Sequence, residues 1–342
     1  MVIAVSTAIS ALPRSNEAAR DGLRRGWRWL AGMQQPDGHW SDYDIRDQVT
    51  LAEREPIGAS DQWVTAYAGL ALAEAMLICG VSEARAGAER ASDWLNHHRT
   101  YSAGWGFNAR TGADVDSTAH AVLLHRRLGR CIASRDLNFL ASGACPAGGF
   151  ATFPSGPGEW GRAHADVTAP ALLALPAGGR KRLLAGTGAF LSRARAADGS
   201  WPGYWWKTPH YATYFTLRAG RALGLDIDGP IQQPPNHEAL DNPCDMAFAA
   251  GIELHRSGPN VWVDRLVNRA LDGQMRKGGW HGTTSLRVPR QGDATPWSHT
   301  SSPLYRDQNG ILTTAHIVRV MARIACWPVE FSEAPEEGAR SN

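Results

Sequence analysis

The feature that most restricts the fold is a degenerate repeat. Arg25-Gly26-x-x-Trp29-Leu30-x-x-x-Gln34-x-x-Asp37-Gly38-x-Trp40 reads as a helix, a glycine turn and an aromatic residue. Fainter copies end at Gly104-Trp105-Gly106-Phe107, at Gly148-Gly149-Phe150, at Asp198-Gly199-x-Trp201 and at Gln274 to Gly278-x-Trp280. A unit repeated in this way cannot bury its apolar face alone and has to stack on its neighbours. After each turn comes a second helix rich in Ala and Leu, opened in four cases by Thr-Ala: Thr65-Ala66, Thr118-Ala119, Thr168-Ala169 and Thr314-Ala315. The first helix is charged on one side, as in Glu89-Arg90-Ala91-Ser92-Asp93-Trp94-Leu95, whereas the second is small and apolar, as over 169–175. That contrast predicts an outer ring of half-exposed helices around an inner ring of buried ones. The expected fold is all-α, a single α/α-barrel or toroid.

Length alone would allow two domains, but the repeat assigns one, over residues 25–327, after an N-terminal lead-in of 1–24. The acidic stretch 328–342 reads as a disordered tail. A helix near Asp245 to Leu254 supplies the inner half of a damaged fifth unit, whose outer half is replaced by the Pro-rich loop 229–243. Loops 41–60, 154–163 and 282–309 are polar and rich in Gly and Pro, and are expected to cap one end of the toroid.

A formal net charge of +2 with no basic run argues against a nucleic-acid partner. Five scattered cysteines without C-x-x-C spacing argue against a disulfide framework or a cysteine-rich zinc site, and fit a reducing, cytoplasmic setting. The apolar start Val2–Leu12 has no Lys or Arg before it and is too short to span a bilayer, so neither a signal peptide nor an anchor is expected. Contact with a membrane surface stays open. Fourteen tryptophans, each needing a partner for its indole N–H when buried, indicate repeated structural stacking, an aromatic-lined pocket, or both.

Aligning the inner helices on Thr-Ala sets a register across the ring. Asp114-Val115-Asp116-Ser117-Thr118-Ala119-His120 then matches His164-Ala165-Asp166-Val167-Thr168-Ala169-Pro170. Asp116 and Asp166 fall at equivalent places, with Asp114 and His164 equivalent two residues earlier, so four ionisable groups converge at one end of the lumen. Asp before an apolar helical run is also an ordinary N-cap, which serves as the plain alternative for each.

On these residues the chain resembles the class II terpene cyclases. The Gln-to-Trp repeats are similar to the QW motifs of squalene-hopene and oxidosqualene cyclases, and Asp114 to Ala119 is similar to their D-x-D-D-T-A box. The stretch Trp201-Pro-Gly203-Tyr204-Trp205-Trp206 to Tyr211 resembles the squalene-hopene cyclase segment that supplies a Trp and a Tyr to the cavity. With room for one barrel, the chain resembles the monodomain cyclases of bacterial meroterpenoid pathways. That resemblance implies that Asp116 protonates a terminal alkene or epoxide of a polyprenyl substrate with an aromatic or acidic head, and starts cation-olefin cyclisation. An alkene is a very weak base, so the donor must be a neutral, desolvated carboxylic acid, and a nearby carboxylate such as Asp114 or Asp166 helps keep it protonated. The cations formed need π faces, for which Trp63, Trp205, Trp206, Tyr211, Tyr214 and Phe215 are the candidates.

The sequence departs from the family in two places. Ser117 stands where the box has its final Asp, and Pro170 where squalene-hopene cyclases place a His four residues after the Asp of D-V-T-A. His164, or in second place His120, is the candidate to orient the Asp116 proton instead. Arg306 in the loop 301–310 is a candidate clamp for an acidic head, whereas Asp307 and Asn309 fit a head-group site and a plain cap and turn equally well. No adjacent Asp pair exists, so the D-D-x-x-D metal box is missing and neither metal nor cofactor is expected. Two alternatives share the toroid. One is a protein-prenyltransferase β-like zinc site from Asp241, Cys244 and His316. The other is a non-catalytic or carbohydrate-active barrel with Asp116 and Asp166 as paired carboxylates.

Overall fold

The computed structural model describes residues 14–50, 54–227, 229 and 236–327. Its helices are α1 (Arg14–Gly32), α2 (Gln62–Cys79), α3 (Arg85–His97), α4 (Val115–Arg127), α5 (Ser134–Ser142) and α6 (Ala165–Ala174), followed by α7 (Ala177–Arg180), α8 (Leu184–Ala194), α9 (His210–Leu223), α10 (Pro243–Ser257), α11 (Val261–Asp272) and α12 (Ile311–Ala325). Four strands accompany them: β1 (Asp42–Val49) pairs antiparallel with β2 (Pro56–Ser60), and β3 (Thr284–Arg287) with β4 (Leu304–Arg306).

Helix α2 packs on α4, α4 on α6, α6 on α9, α9 on α10, α10 on α12, and α12 back on α2, so six helices form a closed ring. Helices α1, α3, α5, α8 and α11 each pack on members of that ring. Burial separates the two sets. In α2, α6 and α12 nearly every residue is buried, whereas α5 and α11 bury only a stripe. The segment Gln62–Cys79 is long and apolar enough to cross a membrane, yet 83% of it is buried inside the protein, as a ring helix requires.

The repeat has a physical role in joining the two sets. The backbone N–H of Trp40, Trp105, Phe150, Trp201 and Trp280 donates to the hydroxyl of Thr65, Thr118, Thr168, Thr213 and Thr314, at 2.8–3.0 Å. Each of the four tryptophans in this position also donates its indole N–H to a carbonyl ten residues earlier on the preceding helix, at 2.7–2.9 Å. Phe150 keeps the ring and loses the latch. Gln34 and Gln274 reach sideways to the carbonyls of Gly87 and Gly22 on the next outer helix. Gly38 and Gly278 both have φ +108, and a Cβ there would lie 2.6 and 2.4 Å from the carbonyl oxygens of Arg90 and Arg25, so no larger residue fits.

One expectation changes. The chain carries short strands as well as helices, because loops 41–60 and 282–309 fold into hairpins. Within the lead-in, α1 begins at Arg14, and it packs along α12. The fifth inner helix exists as α10, and among the described residues of the Pro-rich loop a 3-10 turn, His237–Ala239, precedes it, while residues 230–235 of that loop and all of 328–342 lie outside the described residues. The long loops do meet one another: Glu159 N–H donates to Gln291 O, Trp160 Nε1–H to Pro289 O, and Tyr305 Oη–H to Asp47 Oδ2.

Candidate active site

The predicted register brings the N-termini of α2, α4 and α6 to one cavity with a largely aromatic wall. Asp116 and Asp166 both stand in the first turn of their helices, α4 and α6, and Trp63 in that of α2. All three line the cavity with Asp114, Trp205 and Trp206. Phe107, Thr152, Phe153 and Leu286 complete much of the wall. None of these four belongs to the Asp or Gln-to-Trp motifs, although Phe107 and Thr152 share a register, each two residues after the aromatic of its repeat.

Of the three cavity carboxylates, Asp116 is the one whose surroundings most favour the protonated form. Its Oδ2 accepts the indole N–H of Trp63 at 3.0 Å, while Oδ1 lies 3.6 Å from His120 Nε2 and makes no hydrogen bond to the protein. Burial raises its pKa well above the usual carboxylate range, and the charges of Asp114 and Asp166 raise it further against the Trp63 N–H. Asp114 is a true N-cap, accepting the Ser117 N–H and hydroxyl at 2.7 Å each. Burial pushes it up to about 6, with the Ser117 bonds holding it down. Asp166 accepts the Trp205 N–H at 2.8 Å and is likewise pushed up by burial to about 6, restrained by backbone donors and Arg287. The surroundings thus favour the protonated form more strongly at Asp116 than at Asp114 or Asp166.

This ordering fixes a pH response. If protonated Asp116 is the active form, kcat falls as pH rises through its raised pKa. Asp114→Asn keeps a good cap but removes a neighbouring charge, so the descending limb of the profile should move to lower pH by on the order of one unit. A limb left in place in the pH profile of this variant would separate Asp114 from the acidity of Asp116.

The aromatic wall is held from behind. Trp205 donates its indole N–H to Thr152 Oγ1 at 2.7 Å, and Trp206 stacks on Tyr211 with centroids 4.2 Å apart. Arg287, 5% exposed, donates to the carbonyls of Gly203 and Lys207 on either side of this pair and so pins their loop. Tyr211 lies behind Trp206, its hydroxyl 3.1 Å from His120 Nε2, beside a second, smaller space shared with Cys244 and Phe248.

Several expected site residues stand elsewhere. Tyr214 and Phe215 are core: Phe215 lies beneath Arg319, and Tyr214 packs on Phe248 and His255, so neither lines the cavity. His164 places its Nε2 2.8 Å from Glu159 O and stacks its ring on Tyr204 at 3.7 Å, and the histidine in reach of Asp116 is His120, one helical turn on. Arg306 is exposed on β4 and is not among the cavity-lining residues. Asp307 is fully buried and accepts the Thr313 N–H at the start of α12, and its pKa is raised by burial and by its partner Asp42, so the two share a capping role. Cys244 Sγ lies 3.4 Å from His316 Nδ1, but Asp241 is exposed, and among the described residues no three metal-ligating side chains gather.

No protein-family model matches the chain, and no curated protein matches its sequence. Solved structures do. The chain is similar to a variant of type II terpene cyclase MstE from Scytonema in complex with geranylgeranyl dihydroxybenzoate: TM-score 0.74 and 21% identity over 91% of this chain and 98% of that one. A protein from Actinoplanes matches with TM-score 0.71 and 22% identity, over 89% and 98% of the two chains. An ent-copalyl diphosphate synthase from Streptomyces platensis matches with TM-score 0.50 and 17% identity, over 80% of this chain and 52% of that one. The chain thus has the mainly helical fold of these terpene cyclases.

Proposed function

We propose that this chain is a class II terpene cyclase, a single α/α-barrel isomerase that folds a polyprenyl chain with an aromatic or acidic head and cyclises it from the far alkene or its epoxide. The observation that carries the reading is Asp116, a buried carboxyl beside Asp114 and Asp166 in an aromatic-walled cavity, in surroundings that favour its protonated form. Its fold neighbour MstE is recorded with a prenylated aromatic acid as substrate, which matches the substrate class proposed. On this reading Asp114 to Ala119 corresponds to the D-x-D-D-T-A box, and the Gln-to-Trp repeats to the QW motifs.

In the initiating step the Asp116 O–H bond breaks and a C–H bond forms at the less substituted carbon of the terminal alkene, whose π pair supplies the electrons and leaves a tertiary cation on the other alkene carbon. Successive alkenes attack that cation, and each closure moves the charge along the chain until a proton is lost, so the product is an isomer of the substrate. Trp205, Trp206, Phe107 and Phe153 offer π faces to the travelling charge while excluding water that would quench it.

Trp63 has a distinct part. As Asp116 gives up its proton, the carboxylate charge grows on the group that already accepts the Trp63 N–H, so that hydrogen bond strengthens in the transition state. Trp63→Phe keeps the ring and removes the donor. It is expected to lower kcat by about 10- to 100-fold with KM little changed, and steady-state kinetics that show only a KM effect would leave Trp63 as wall. The function itself is tested by incubating the enzyme with prenylated aromatic acids, free polyprenols and polyprenyl diphosphates, with and without EDTA. A cyclised isomer of a diphosphate-free substrate, formed in EDTA, is the expected product. Activity lost to the chelator and restored by zinc would favour a prenyltransferase-like site.

A further inference from the structure

Outside the cavity, the structure brings together two thiols that the sequence separates by 247 positions. Cys79 ends α2 and Cys326 follows α12, where the last helix of the ring closes on the first. Their sulfurs are 3.0 Å apart, and both residues are half-buried. The Cys79 thiol also lies 3.7 Å from Ala322 O, and Arg20 of α1 binds the adjacent Ala325 carbonyl at 3.1 Å, so three helices meet at this point. Neither cysteine lines the cavity of Asp116.

We propose that Cys79 and Cys326 are a reversible disulfide site that staples the first and last helices of the ring, with a low-molecular-weight disulfide of the glutathione type as oxidant. Bond formation needs the sulfurs to approach by roughly 1 Å, to an S–S length of about 2.05 Å, a shift that the ends of two helices can supply. Cys326 is the attacking group. The hydrogen bond from Cys79 lowers its pKa to about 7, with Arg20 and Arg323 assisting, while the same bond raises that of Cys79. The Cys326 thiolate attacks the small disulfide, forming a mixed disulfide and expelling one thiolate. That thiolate takes the Cys79 proton, and the Cys79 sulfur then attacks Cys326 and releases the second thiol. Two protein thiols are oxidised, and one small disulfide is reduced to two thiols. Closing so long a loop constrains the unfolded chain strongly, so the oxidised form gains stability.

The full-length protein is incubated with oxidised glutathione, remaining thiols are alkylated, and a non-reducing digest is read by mass spectrometry alongside a thermal melt. The expected result is a cross-linked peptide joining Cys79 to Cys326 and a Tm raised by roughly 5 °C or more, both reversed by dithiothreitol. Cys79→Ser and Cys326→Ser should each abolish the cross-link and the Tm increment. The exposed Cys131 reports that the oxidant has acted. If Cys131 carries glutathione while Cys79 and Cys326 are still alkylated, or if Cys326→Ser keeps the increment, the proposal is overturned.

Discussion

Asp116→Asn is expected to lower turnover by about three orders of magnitude or more, the upper range for losing a general acid, with circular dichroism and melting unchanged. The amide has the shape of the acid and still accepts the Trp63 N–H, which the structure places 3.0 Å from Oδ2. It has no proton to give. The contrast with Asp114 sharpens the test, because Asp114 holds the start of α4 through Ser117 whereas Asp116 Oδ1 makes no hydrogen bond to the protein. Residual activity within about tenfold of the parent would be far too high for the loss of a general acid, and would move the acid to another residue.

The largest effect on stability is expected at Glu74. This carboxylate, 1% exposed, accepts from Arg218 at 2.6 Å and from Arg319 at 2.9 Å within the ring, and Arg319 in turn lies over Tyr67 and Phe215. Burial pulls its pKa upward, but Arg218, Arg319 and Arg323 together outweigh burial and hold it well below the usual range. Glu74→Gln leaves the guanidinium charges facing a neutral amide in an apolar core, at a cost of about 3–5 kcal/mol. Denaturant unfolding at constant m measures it. Replacing all three groups with Leu or Met should recover most of the loss, because desolvation of the ions is then removed along with their attraction. A Glu74→Gln loss below about 1 kcal/mol would mean that water screens the cluster.

The repeat made the architecture legible because one chemical device recurs: an aromatic turn tied to a threonine on the next helix. The fifth threonine, Thr213, escaped the pattern because Ala212 precedes it where the other copies have Ala after Thr, yet it makes the same bond. The same register brought Asp114, Asp116 and Asp166 to one place, since each is fixed by its offset from a threonine. Side chains outside that register were not legible in this way. Tyr214 and Phe215 share the face of α9 that carries Tyr211, but they stand one helical turn further from its N-terminal, cavity end and pack into the core. Glu74 is a lone charge in an apolar helix whose partners are 144 and 245 positions away, a distance no local pattern spans. Arg306 looked apt by charge alone, whereas the buried arginine by the aromatic wall is Arg287, with its charge near Asp166.

Isotope uptake in deuterated water tests the proposed initiation most directly. A carboxylic acid at Asp116 exchanges its proton with solvent before each turnover and delivers it to carbon. With a diphosphate-free prenylated aromatic acid in D₂O, the product should be a cyclic isomer carrying one deuterium, on the carbon that was the less substituted (CH) carbon of the far alkene, and Asp116→Asn should form none. A cyclic product without deuterium at that carbon would contradict protonation by Asp116.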